Sequence, residues 1–151
     1  MLTQPPALSI TSIAITNSIT CFGGANGSAT VIVAGGTPIY TYQWYSDPGF
    51  TTPIVGQVTN VATGLAAGTY WVKITDFNGC WISSNITLTQ PPILSASLTP
   101  TNITCFGAND GTITVSGATG GAGTYEFTVN GGGLWRLHPA LQRLLPEHIT
   151  L

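Results

Sequence analysis

Charge is what this sequence has least of. Only 5% of its 151 residues are Asp, Glu, Lys or Arg, and the formal net charge is -2, where ordinary soluble domains carry roughly 25% charged residues. So sparse a charge excludes the basic footprint that nucleic acid or an anionic membrane surface requires. No His precedes His138, and Lys73 is the sole basic residue before Arg136. Acid–base or nucleophilic chemistry would have only Asp47, Asp76, Asp110, Glu126 and Lys73 before Gly133, with no partnered nucleophile, so neither an enzyme nor a cofactor is expected. No CxxC pair occurs, which argues against zinc. No run of about 20 apolar residues is present either, so no membrane insertion is expected. Met1 leads directly into LTQPP without a charged segment or an apolar leader core, and the chain reads as a piece of a longer protein.

What is present is repetition. TQPP at Thr3 to Pro6 returns at Thr89 to Pro92, an offset of 86 residues, and ITCFGGANGSATV from Ile19 returns as ITCFGANDGTITV from Ile103, an offset of 84. The unit is therefore of small-domain size. Hydrophobic residues make up 43% of the chain, enough for a core, and 24 Thr supply much of the polar surface, a choice that suits exposed strand faces. Turn signals divide the first unit into short runs: Ala7 to Ile15, Ser28 to Ala34, Tyr40 to Tyr45, a weaker one near Gln57 to Val61, and a hairpin of Gly68 to Asp76 with Cys80 to Thr89. In the third run Tyr40, Tyr42 and Trp44 share one face by period-2 alternation, which points them inward. The Asn78-Gly79 pair supplies the positive φ angles of a tight hairpin turn.

About seven strands in such a unit predict an all-β fold of tandem immunoglobulin-like β-sandwich repeats, the second incomplete. The expected divisions are 1–6, the end of a preceding repeat; 7–90, a complete repeat; 91–133, the first half of another; and 134–151, an aberrant tail. Gln90, Pro91 and Pro92 form a short stiff joint. Of the three cysteines, Cys21 and Cys80 are the candidate structural disulfide, closing a loop of about 60 residues worth ~4 kcal/mol and implying an oxidising setting. Cys105 is then unpaired. A Cys80–Cys105 bridge and three buried free thiols are the open alternatives.

The series TCFGGANGSATV, GGTPIYTYQW, GLAAGTYWVKITDFNGC and TLTQPP resembles the SprB-type repeat of gliding-motility adhesins, from Ile19 to Pro92 and again from Ile103 to about Gly132. The resemblance implies a non-catalytic module of a large bacterial cell-surface protein exported by the type IX pathway. Its expected partners are neighbouring repeats of the same chain and surface polysaccharide. Trp71 and Trp81 are the candidate ligand-contact aromatics, whereas Tyr40, Tyr42 and Trp44 read as core. Asp76 with Asn78, and Asn109 with Asp110, have oxygen ligands of the calcium type but are explained by turn chemistry.

From Leu134 the repeat is abandoned. LWRLHPALQRLLPEHITL holds six of the twelve Leu and both His. Leu134, Leu137, Leu141, Leu144 and Leu145 recur at helical spacing, broken by Pro139. A frameshift explains the segment better: read from the third base of each codon, Leu145 to Thr150 permits Ala-Gly-Thr-Tyr-Asn, the counterpart of Ala67 to Tyr70.

Overall fold

The structure, a computed structural model, describes residues 4–108 and 110–127 together with strand backbone at 135–136 and 147–150. It is all-β over these residues. The chain divides into two compact units, Met1–Gln90 and Pro91–Leu151.

The first unit has six strands: β1 (Ser9–Asn17), β2 (Gly27–Ala34), β3 (Thr41–Tyr45), β4 (Val61–Leu65), β5 (Gly68–Thr75) and β6 (Trp81–Leu88). They form two antiparallel sheets, ordered β1-β2-β4 and β3-β5-β6, whose facing sides enclose the core. Alternation decides which side chains enter it. Ala29 and Val31 come from β2, Ala62 and Leu65 from β4, Trp44 from β3, Val72 and Ile74 from β5 and Leu88 from β6, joined by Ile19. Trp44 is fully buried, and Tyr40 and Tyr42 pack against the cluster. Trp44 is also satisfied: its indole N–H donates to the Thr59 carbonyl at 3.0 Å.

Six strands stand where about seven were expected, and the fourth is displaced. Residues 57–60 hold no strand; the segment crosses the sandwich as coil, where the Gln57 carbonyl accepts from the Trp44 backbone N–H and the Thr59 carbonyl from its indole. The ladder with β2 begins at Val61, next to the 2.9 Å bond from the Val31 N–H to the Asn60 carbonyl. The predicted β5–β6 hairpin forms, with Thr69 facing Thr87 and Thr75 facing Trp81. Its turn differs in one respect: Gly79 has φ 83, whereas Asn78 keeps a negative φ. A turn followed by one left-handed residue needs only one glycine.

The second unit repeats the first two strands as β7 (Ser95–Thr101) and β8 (Thr112–Thr119), followed by β9 (Glu126–Phe127). β10 (Trp135–Arg136) pairs with β9, and β11 (Glu147–Thr150) pairs with β8. Thr112, Ile113 and Thr114, the counterparts of Ser28, Ala29 and Thr30, pair there with Thr150, Ile149 and His148, the positions that β4 fills in the first unit. The remaining tail, and with it the choice between helix and frameshift, lies outside the described residues, as does Asn109. The core of this unit is less covered. Ile19 is 4% exposed beneath Leu65 and Leu88, but its counterpart Ile103 is 55% exposed. Among the described residues no helix is long and apolar enough to cross a membrane.

Candidate functional site

Two constructions in the first unit bear on function: the poles through which the chain enters and leaves, and the outer face of the β3-β5-β6 sheet.

At the N-terminal pole the Gly36 N–H donates to the Pro6 carbonyl at 2.8 Å. Gly35, at φ 73, lies so close that an added Cβ would stand 2.0 Å from the Ala7 oxygen. Tyr40 secures the corner, its hydroxyl donating to the Gly35 carbonyl at 2.6 Å. The second unit repeats all three features: Gly121 N–H donates to the Pro92 carbonyl at 2.9 Å, Tyr125 to the Gly120 carbonyl at 2.9 Å, and a Cβ on Gly120 would meet the Ile93 oxygen at 1.9 Å. The reason for a Gly-Gly pair ahead of an aromatic strand is thus a backbone seat for the incoming Pro-Pro segment.

Asp76 completes this pole. Its carboxylate accepts N–H donors from Thr37 at 3.0 Å, Asn78 at 3.0 Å and Cys80 at 2.9 Å. These bonds, the one from Thr37 foremost, hold its pKa below the ordinary 3.8 against an opposing desolvation. A carboxyl with a depressed folded pKa contributes stability that is present above the unfolded value and lost as pH falls through the folded one. Stability of the wild-type chain should therefore fall steeply below about pH 4. Asp76→Asn, which removes the charge, should lower the melting temperature at pH 7 and flatten that acid limb, as read by thermal melts across pH.

At the opposite pole the Gly23 N–H donates to the Gln90 side-chain oxygen at 2.8 Å, and Leu88 packs beside Gly27 and Ile19. The loop between β1 and β2 is tied by Asn26, which accepts from the Thr20 N–H and donates to its hydroxyl. Asp110 accepts in the same way from the N–H and hydroxyl of Thr104, and these two bonds, hydroxyl first, hold its pKa low. Turn chemistry accounts for both acids that suggested calcium. Among the described residues no group of three or more His, Cys, Asp or Glu is placed to hold a metal ion.

The poles also separate the cysteines. Cys21 lies in the loop beside Gln90, and Cys80 in the turn beside Asp76. β6 runs between those ends, and its eight residues span roughly 26 Å at about 3.3 Å each, far beyond the ~7 Å between Cα atoms that a disulfide tolerates. The bridge expected from the sequence is not formed. Cys21, Cys80 and Cys105 are free and exposed.

The outer sheet face carries the residues that alternate away from the core. Tyr45, Trp71 and Asn85 form one cross-strand row, Gln43, Lys73 and Ser83 the next, and Thr41, Thr75 and Trp81 a third. Trp81 is 56% exposed and Trp71 half-buried. Lys73 Nζ sits 4.7 Å from the centroid of the Trp81 ring. Phe50 folds back over this face, 5.2 Å from the Tyr45 ring and 6.3 Å from the Trp81 ring, both edge-on. Its loop is organised by Asp47, whose carboxylate accepts from the N–H groups of Gly49, Thr51 and Thr52. Those bonds, Thr51 first, keep Asp47 ionised below its ordinary pKa. On the inner face, burial and then neighbouring Tyr40 push the Tyr42 phenol up, so it stays neutral. Sequence reasoning found Trp71 and Trp81 but missed Phe50 and Lys73, because a loop aromatic declares no face and a lone lysine on a strand reads as solvated.

A family model described as SprB repeat matches residues 13–49 and 97–134. No curated protein matches the chain.

Proposed function

The chain carries SprB-type repeats, a structural repeat family found in cell-surface proteins, and from that premise we infer that it is a load-bearing segment of a bacterial surface adhesin. The observation that carries the reading is the placement of the two chain ends in the first unit. Pro6 to Leu8 are seated at one pole, and Gln90 leaves from the other. β1 runs from the first pole to the second, and so does β6. A pull on the termini therefore loads these strands along their length, so whole ladders of hydrogen bonds must break together. That is the geometry of a module that transmits force along an array.

The TQPP joint fits this role. Gln90 is fixed to the first unit through Gly23, and Pro92 to the second through Gly121. Gliding motility and type IX export are further elements of the proposal, supported by the resemblance of the repeat motifs. Immunolabelling of intact bacteria carrying the parent protein tests the reading. Antibody against the first unit should label unpermeabilised cells and lose its target to added protease; signal seen only after permeabilisation would refute a surface role.

A further inference from the structure

We propose that the outer face of the β3-β5-β6 sheet is a binding site for an acidic polysaccharide, with Tyr45, Phe50, Trp71 and Trp81 taking the apolar faces of sugar rings and Lys73 pairing with a uronate carboxylate. This goes beyond the load-bearing role, because it makes each complete unit a point of attachment as well as a length of stalk.

Three observations carry it. The first is the concentration of aromatics on a side the core does not use: Trp81 is 56% exposed, and Tyr45, Phe50 and Trp81 lie in contact although they come from β3, a loop and β6. A stable sheet needs no such cluster on its solvent face, where Thr and Ser suffice.

The second is the backbone of Phe50. Its φ is 56, a left-handed conformation that a bulky residue adopts rarely and at a cost. Glycine would sit there without strain. The Asp47 carboxylate holds the loop in this shape through three backbone N–H groups, and the result places an aromatic ring against Tyr45 and Trp81. The ring is therefore fixed before any ligand arrives, which reduces the ordering cost of binding.

The third is charge. Lys73 is the sole basic residue among residues 1–133, and it stands inside this cluster, 4.7 Å from the Trp81 ring centroid. The two carboxylates of the first unit are both engaged by their own turns, Asp47 by Gly49, Thr51 and Thr52 and Asp76 by Thr37, Asn78 and Cys80. The face thus presents one cation amid rings, with the Asn85 amide in register beside Trp71. A ligand complementary to it has apolar ring faces, hydroxyls at the edges and a regular negative charge. A uronate polymer has all three, and its repeating structure converts weak single contacts into useful adhesion when the protein face also recurs.

Affinity electrophoresis of the full chain through native gels containing sodium alginate, with neutral dextran as the comparison, tests the proposal. Alginate should retard the wild type, and added salt should weaken the effect, while dextran should retard it much less. Trp81→Ala should weaken the alginate interaction about tenfold, as truncating a central aromatic anchor does. Lys73→Gln should remove both the salt dependence and the preference for alginate over dextran. Both substitutions lie outside the core, and thermal melts will show that the fold is kept; should Trp81→Ala melt early, Lys73→Gln and the salt series still decide. Equal retardation by dextran, unchanged behaviour of Lys73→Gln, or no retardation by alginate would each overturn the proposal.

Discussion

Trp44→Ala is expected to lower the melting temperature of the first unit by roughly 15 °C or more, the equivalent of about 3–5 kcal/mol for an emptied aromatic site. Trp44 is fully buried in the core, beside its cross-strand partner Val72 and in one cluster with Ile74 of its own sheet and Val31 and Ala62 of the other. Its removal opens a cavity that two stiff sheets cannot close. The loss is more than volume, because the indole N–H satisfies the Thr59 carbonyl and so pins the coil that leads into β4. Domains of this size are stable by about 5–15 kcal/mol, so one substitution removes a large part of the total. Circular dichroism melts of the full chain, with proteolysis to score the 57–60 segment, check both effects. Trp44→Phe should recover most of the packing but leave that segment more cleavable than wild type. If both variants melt with the wild type, Trp44 is not the centre of the core.

Gly35→Ala is expected to loosen the seat through which the chain enters the first unit. The residue sits at φ 73, and a Cβ would be placed 2.0 Å from the Ala7 carbonyl oxygen. Backbone cannot yield to that contact in the way a flexible side chain can. The incoming segment must lift, which breaks the 2.8 Å bond from the Gly36 N–H to the Pro6 carbonyl and withdraws Leu8 from its place against Gly36. Left-handed strain and the lost hydrogen bond together should cost about 2–3 kcal/mol. Hydrogen exchange should show the Gly36 amide losing protection while the centre of the β5–β6 hairpin keeps it. Gly120→Ala should release Ile93 in the second unit by the same route, because the same approach is built there at 1.9 Å.

The parts of this fold legible from sequence were those written in local periodicity. Tyr40, Tyr42 and Trp44 alternate, so their inward face could be named, and the Asn-Gly turn marked the hairpin that β5 and β6 form. β4 was expected a few residues too early because Val61–Leu65 contains Gly64 and follows a loop, and its strand character comes from pairing with its sheet neighbour β2, not from its own composition. The cysteine pairing failed for a related reason. Proximity of Cys21 and Cys80 depends on which pole each loop reaches, and that is fixed only when β1 and β6 are known to run the same way between poles. The candidate site was half legible: Trp71 and Trp81 fall on the outward phase of β5 and β6, but Phe50 reaches the cluster through a strained loop that no period announces. Gly35 and Gly36 were visible within the GGTPIYTYQW motif, while their use as a seat for the Pro-Pro segment needed coordinates.

Single-molecule pulling on the full chain, held by its two ends, reads directly whether the first unit bears load as one body. Shear of β1 and β6 predicts that residues 7–90 resist and then yield in a single step, lengthening the tether by about 270 Å, the extended length at about 3.6 Å per residue less a folded span of about 30 Å. Gly35→Ala should shorten that step slightly, because Pro6 to Leu8 are already free. Gradual extension of residues 7–90 at low force, or their release in several small steps, would mean that β1 and β6 are not sheared together.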